Sequence, residues 1–310
     1  RIGGDISTGL RPVQGVFPFF PCNDMIQTPA TLKLHHSASL ATLWCLPLYS
    51  GAGAQVRDFL KMLDLSSGEG LLRRCNDICD WYGEVILNRK HFIKRTAKGL
   101  IAGREGPVQI VILASGKSPL ALELLVEEGS RISGVFEVDL AGMEEKARLY
   151  SRLLPPGAGM LWCLEADVAG SDLAERLAEG GFNPDAPAIF VMEGISYYLS
   201  EEDLAGIVSG LRSGGRNRLI LEYLVPCPEV RWERREIPRR IFSLIREEAG
   251  AGRITCYTRG ELSALFKELG GRVVSTSSMA EMEQLRLGIN GRFLKAEDGW
   301  IEGLVAAFMI

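Results

Sequence analysis

Gly106-Pro107-Val108-Gln109-Ile110-Val111-Ile112-Leu113-Ala114-Ser115-Gly116-Lys117-Ser118-Pro119 is the segment from which the architecture can be read. Val108–Leu113 is almost wholly apolar, with Gly-Pro before it and small residues after it. A half-exposed strand would alternate apolar and polar, so this run predicts a short strand covered on both faces. Ser118 stands where a helix cap stands and Pro119 suits a first helical turn, so a helix over 119–128 is expected. Downstream the unit repeats. Strands are predicted over 131–138, 160–164, 188–192 and 218–223, with helices over 143–153, 172–179 and 201–211, the last capped by Ser200. A helix over 259–269 and strands over 272–276 and 303–309 close the chain. Strands separated by helices predict an α/β fold with a doubly wound, mostly parallel sheet.

Upstream, residues 1–105 read differently. Helix-like patterns over 28–48, 55–63 and 76–102 are broken by proline and glycine, and no strand alternation stands out. The expected organisation is a helical N-terminal cap over 1–105 and a ligand-binding core over 106–310. Residues 226–257 form a lid-like insertion in that core.

The chain has 310 residues, 46% hydrophobic and 24% charged, with a net charge of −4. That balance excludes a disordered or collagen-like chain, and without a basic surplus no nucleic-acid partner is expected. Seven scattered cysteines without a Cys-x-x-Cys predict reduced thiols in a cytoplasmic protein, neither a disulfide framework nor a metal site. The uncharged stretch 35–56 contains Pro47, Gly51 and Gly53, so a buried helical segment is expected there and no membrane span. The chain opens on Arg1 instead of Met, as a trimmed start would.

In a doubly wound sheet the ligand lies beyond the carboxyl ends of the strands, where the strand order reverses. Gly116-Lys117-Ser118 invites a P-loop reading, but Val111 occupies the position of that motif's first glycine. The dinucleotide fingerprint fails at Ala114 and Pro119, which disfavours a nicotinamide-dependent oxidoreductase. What remains is a turn of Ala114, Ser115 and Gly116 leading into a helix N-terminus. Asp139 ends the second strand, about where an acid takes ribose hydroxyls in nucleoside sites. Asp167 follows the third strand and Glu193 the fourth. Any one of these acids alone reads as ordinary surface composition. Together, beside one small-residue turn, they outline a pocket for hydroxyls, amines or positive charge, and S-adenosylmethionine carries all three.

Several segments then resemble one family. They are Val135-Phe136-Glu137-Val138-Asp139 with Lys146 beyond it, and Glu193-Gly194-Ile195-Ser196-Tyr197-Tyr198-Leu199-Ser200. Supporting them are Ala166-Asp167-Val168, Gly181-Phe182-Asn183-Pro184 and Asn88-Arg89-Lys90-His91-Phe92-Ile93. The pattern is similar to that of the leucine carboxyl methyltransferases and their bacterial small-molecule O-methyltransferase relatives. The resemblance implies a Rossmann-like class I methyltransferase fold with a seven-stranded sheet. It also implies S-adenosylmethionine as cofactor and a carboxylate or small-molecule hydroxyl as methyl acceptor. By the same resemblance, Arg89 holds the methionyl carboxylate, and Ala114, Ser115 and Gly116 run beside the methionine moiety. Asp139 takes the ribose, Asp167 and Val168 frame the adenine, Glu193 nears the amino or sulfonium end, and Tyr197 and Tyr198 face the substrate.

The chain departs from the family at Ala114-Ser115-Gly116-Lys117-Ser118-Pro119-Leu120, where the family has Gly-Ala-Gly-x-Asp-Thr-Arg. Alanine for the first glycine suits a negative φ. No replacement for the missing Asp and Arg stands out, and Lys94 falls near another of the family's aspartates. The altered turn sustains a competing reading, a relative that binds a ligand or partner without turnover. His35, His36 and His91 read as packing or surface residues, and a carboxylate acceptor needs no base. Seven arginines (231, 234, 235, 239, 240, 246 and 253) crowd the segment 226–257, with Ile237, Ile241, Phe242 and Ile245 at helical spacing. Either this is a solvated amphipathic helix or a lid whose Arg234 and Arg235 steer an anionic acceptor.

Overall fold

The computed structural model describes residues 16–18, 32–154, 161–211, 216–249 and 254–308. Its strands are β1 (Val16–Pro18), β2 (Leu32–Lys33), β3 (Leu63–Asp64), β4 (Val108–Leu113), β5 (Ile132–Asp139), β6 (Leu161–Glu165), β7 (Ala188–Met192), β8 (Arg218–Leu224), β9 (Gly271–Ser277) and β10 (Ile301–Phe308). The helices are α1 (His36–Cys45), α2 (Ala54–Lys61), α3 (Glu69–Ile78), α4 (Tyr82–Ala102), α5 (Leu120–Glu128), α6 (Met143–Leu153), α7 (Leu173–Glu179), α8 (Glu201–Gly210), α9 (Glu236–Ala249), α10 (Arg259–Glu268) and α11 (Met279–Leu287).

The main sheet runs β1-β6-β5-β4-β7-β8-β10-β9. All seven expected strands are present, and β1 adds an eighth at the edge, antiparallel to β6. From β6 to β8 the pairing is parallel, whereas β10 runs antiparallel between β8 and β9. The reason for the central order lies in the sequence of β4: every residue of Val108–Leu113 is buried, as a strand covered by helices on both faces must be. The strand order reverses between β4, which pairs with β5 on one side, and β7 on the other. The turn after β4 and the loop after β7 therefore open side by side at one crevice.

Local signals explain most boundaries. Ser200 and Asp203 form a reciprocal capping box at α8, as Thr258 and Glu261 do at α10. The predicted helix over 76–102 is two helices, broken at Cys79-Asp80-Trp81. The predicted helical pattern over 28–48 gives the short strand β2, then α1 and a single 3-10 turn, while 28–31 fall outside the described residues. Among the described residues, no helix is long and apolar enough to cross a membrane.

Candidate active site

The turn after β4 is held by strand β5. Ser115 N donates to the Val138 carbonyl at 3.0 Å, and Gly116 N donates to Asp139 Oδ2 at 2.6 Å. Asp139 Oδ1 also accepts from Leu140 N at 2.8 Å. The carboxylate expected to meet a ribose thus also fixes the turn. Beneath the turn, Lys146 Nζ donates to Glu137 Oε1 at 2.8 Å and lies 3.4 Å from Ser115 Oγ. Both charged side chains of this pair are fully buried. Burial pushes the Glu137 carboxyl up, and Lys146 opposes that push.

Ala114 corrects one expectation. Its φ is +53°, in the left-handed region where the family carries glycine, and Gly116 follows at +50°. The methyl group of Ala114 therefore sits in a conformation that costs a non-glycine residue about 1–2 kcal/mol. Ala114→Gly is expected to raise stability by about 0.5–1 kcal/mol, strain relief outweighing the extra chain entropy of glycine. Urea unfolding checks it, and a loss of stability would show that alanine is relaxed there.

Opposite the turn, α4 delivers two adjacent cations. Arg89 Nη2 donates to Glu193 Oε1 at 3.2 Å and Arg89 Nη1 to Tyr197 Oη at 3.4 Å. Lys90 Nζ donates to Glu193 Oε2 and to Ser118 Oγ, both at 2.7 Å. Burial pushes the Glu193 carboxyl up, but Lys90 and Arg89 outweigh it and hold the group below its ordinary value. A second acid, Glu222 on β8, lies 3.8 Å from Arg89 Nη1 and accepts from Gly194 N. Burial pushes Glu222 up, with Arg89 opposing. Among the described residues, Glu222 Oε2 and Arg89 Nε, both buried, have no hydrogen-bond partner.

Arg89, Lys90, Ser118, Glu193 and Tyr197 line a cavity of about 300 Å³, and Glu222 lies outside its wall. Of the residues singled out in the sequence, Arg89, Ala114, Ser115, Gly116, Glu193, Tyr197 and Tyr198 line it. Asp139 touches the turn from the side without forming a wall. Asp167 is exposed, with its carboxylate accepting from Ala169 N at 2.9 Å, and Val168 lines a different cavity beside α7 and α8. Sequence reasoning missed Lys90, Glu222 and the walls supplied by the N-terminal helices, among them Trp44, Cys45 and Tyr49. Glu222 had a legible signal, as the one acid inside the otherwise apolar strand Leu219-Ile220-Leu221-Glu222-Tyr223-Leu224.

Lys90 joins the turn to the end of β7 through Ser118 and Glu193, at the place where the family's acid and base are missing. Lys94 instead pairs with Glu123 and Glu127 of α5 at 2.6 and 2.7 Å, outside the cavity wall. The roof includes α9, whose Phe242 ring lies 5.1 Å from that of Tyr197 at 74°. Arg74 of α3 fastens this helix through Glu248 at 2.6 Å and Glu247 at 3.5 Å. Arg234 and Arg235, read as steering groups, are otherwise engaged. Arg234 lies over Trp81 and Phe293 and donates to the Asp298 and Arg292 carbonyls, and Arg235 donates to the Val230 and Pro228 carbonyls. Backbone carbonyls close by capture a guanidinium more cheaply than an open field does. Arg253 lies outside the described residues.

The strand order and the cavity at its switch point define a class I methyltransferase fold. Two solved structures share it: a DUF574 family protein from Streptomyces avermitilis, TM-score 0.62 at 18% identity, covering 89% of this chain and 98% of that one, and a candidate methyltransferase from Thermobifida fusca, TM-score 0.59 at 16% identity, covering 86% and 100%. Residues 76–211 match the model of the leucine carboxyl methyltransferase family. A protein of Parafrankia sp. (strain EAN1pec), named as a candidate S-adenosyl-L-methionine-dependent methyltransferase, is 29% identical over 125 residues. That match takes in 40% of this chain and 39% of the relative's length.

Proposed function

We propose that this protein is an S-adenosylmethionine-dependent methyltransferase whose acceptor is an oxygen nucleophile, a carboxylate rather than a hydroxyl. The observation that carries the reading is the Arg89–Glu193–Lys90 cluster facing the left-handed turn at 114–116 across one cavity. The residues present suit the cofactor. A Cβ built on Gly116 would meet nothing within 4 Å, so the turn is open to close approach. Arg89 Nε is buried without a partner among the described residues and is placed to serve a carboxylate. When bound, S-adenosylmethionine supplies a methyl group on an activated sulfonium.

The protein's part is then alignment and the exclusion of water. Asp139 holds the ribose hydroxyls, Asp167 just after β6 stands on the adenine side, and Glu193 holds the amino end while Arg89 and Lys90 keep it ionised. The choice of acceptor rests on the titrating groups in the wall. Both Glu193 oxygens are already engaged. Burial pushes the Cys45 thiol up to about 11 and the Tyr198 phenol up to about 12, and it raises Tyr49 and Tyr197 as well. None of these takes a proton from a hydroxyl at neutral pH, and Lys117, whose pKa burial lowers, is engaged by the Gly142 carbonyl, whereas a carboxylate arrives already ionised. On the α1 side, Trp44 Nε1 and Tyr49 Oη are buried wall groups without partners among the described residues, suited to donating to an acceptor oxygen. In this reading α1 and α9 shape the acceptor side.

Binding without turnover is the second reading, and the altered turn at 114–120 favours it. Titration calorimetry with S-adenosylhomocysteine addresses the shared premise. Asp139→Ala is expected to weaken that affinity at least about tenfold, since two charge-assisted hydrogen bonds go. Unchanged affinity would put the cofactor elsewhere. Methyl transfer to a panel of carboxylic acids then separates turnover from binding alone.

A further inference from the structure

A second cavity, of about 570 Å³, shares Phe242 with the first and is used by nothing described so far. Its volume falls in the range of small-molecule sites, about 300–1,000 Å³. Val225, Val230, Phe242 and Trp300 contribute apolar wall. Arg235, just before α9, and Arg239 and Arg246 on it supply cationic wall, and among the described residues no acid lines the cavity. The helical spacing is the cause: positions 235, 239, 242 and 246 fall on one face, so the cations flank an aromatic ring.

The three arginines are held differently. Arg235 is set in place by the Val230 and Pro228 carbonyls through Nε and Nη2, which leaves Nη1 to donate elsewhere. Arg239 has a single exposed partner, Glu236, at 3.3 Å. Arg246 has no ion pair or hydrogen bond among the described residues. An apolar hollow edged only by guanidinium groups is complementary to an organic anion with an apolar body, not to a neutral lipid or a cation. We propose that this cavity binds a small amphipathic anion, with a carboxylate or similar oxyanion at Arg239 and Arg246 and an aliphatic or aromatic body against Phe242 and Trp300.

The test uses the full chain without methyl donor and three probes that each carry a ten-carbon chain: decanoate, decan-1-ol and decyltrimethylammonium. By calorimetry, decanoate is expected to bind at least about tenfold tighter than decan-1-ol, and decyltrimethylammonium more weakly than either. The double variant Arg239→Gln/Arg246→Gln should abolish the preference while changing decan-1-ol affinity less than about twofold. Cys227 and Cys256 line the same cavity and are exposed, while Cys45, Cys75, Cys79 and Cys163 are buried. Decanoate should therefore slow iodoacetamide alkylation of Cys227 and Cys256, read peptide by peptide. Equal affinity for decanoate and decan-1-ol overturns the proposal, as does a preference that survives in the double variant. Decanoate binding without protection of the two cysteines puts the anion elsewhere and also overturns it. S-adenosylhomocysteine titration reads the other cavity, so failure here leaves the methyltransferase reading where it stood.

Discussion

Lys146→Met is expected to cost the fold about 3–5 kcal/mol at neutral pH, because it leaves the Glu137 carboxylate buried without its cation. Lys146 and Glu137 are both fully buried at 2.8 Å, under the turn that opens the cavity. The further change Glu137→Leu, made in the same chain, should restore most of the loss, since an apolar pair avoids the desolvation that an ion pair must overcome. The pH dependence carries the sign. Burial already raises the folded-state value of Glu137, and without Lys146 it rises further above the unfolded value of about 4.3. The destabilisation is then complete above the raised folded-state value, fades as pH falls from there toward the unfolded value, and is gone below it, where the carboxyl is protonated in both states. Urea unfolding of the wild type, the single and the double variant across pH 3–8 tests this. A single variant as stable as the wild type at pH 7 would mean that water reaches Glu137.

Arg89→Lys should lower affinity for S-adenosylhomocysteine by about tenfold to a hundredfold, the loss of one or two hydrogen bonds to a charged group. The guanidinium spans Glu193, Tyr197 and Glu222 at once, at 3.2, 3.4 and 3.8 Å. A lysine ammonium is a single point on a flexible stem and cannot hold that arrangement while also forking onto a ligand carboxylate. Adenosine, which lacks the carboxylate, should bind within about twofold of its wild-type affinity. Equal losses for both ligands, together with a lowered melting temperature, would assign Arg89 to the fold alone.

The parallel half of the sheet was legible because β4 to β8 are buried runs bounded by glycine, proline and capping residues. The strands β1 to β3 are two or three residues long, too short for a periodicity to register. Helix α11 escaped notice although Ser278 and Glu281 form its capping box, because its own face is weakly segregated and Ser-x-x-Glu is short. The turn, the acids and Arg89 could be picked out one by one. Their assembly could not. Arg89 and Glu193 meet across 104 positions, and no local pattern records a contact of that span. Nor does sequence report that Ala114 takes a positive φ, since the strands on either side impose it.

Phe242 belongs to the walls of two cavities at once, and its ring also rests on Tyr197. A side chain with that position is a partition, and partitions make their two rooms interdependent. A ligand that presses the ring toward one room changes the space in the other. Whatever factor it applies to the second ligand's affinity, the second must apply to the first, in either order of addition. Shortening the partition, as in Phe242→Ala, would merge the two volumes and turn a pair of linked equilibria into competition for one enlarged hollow.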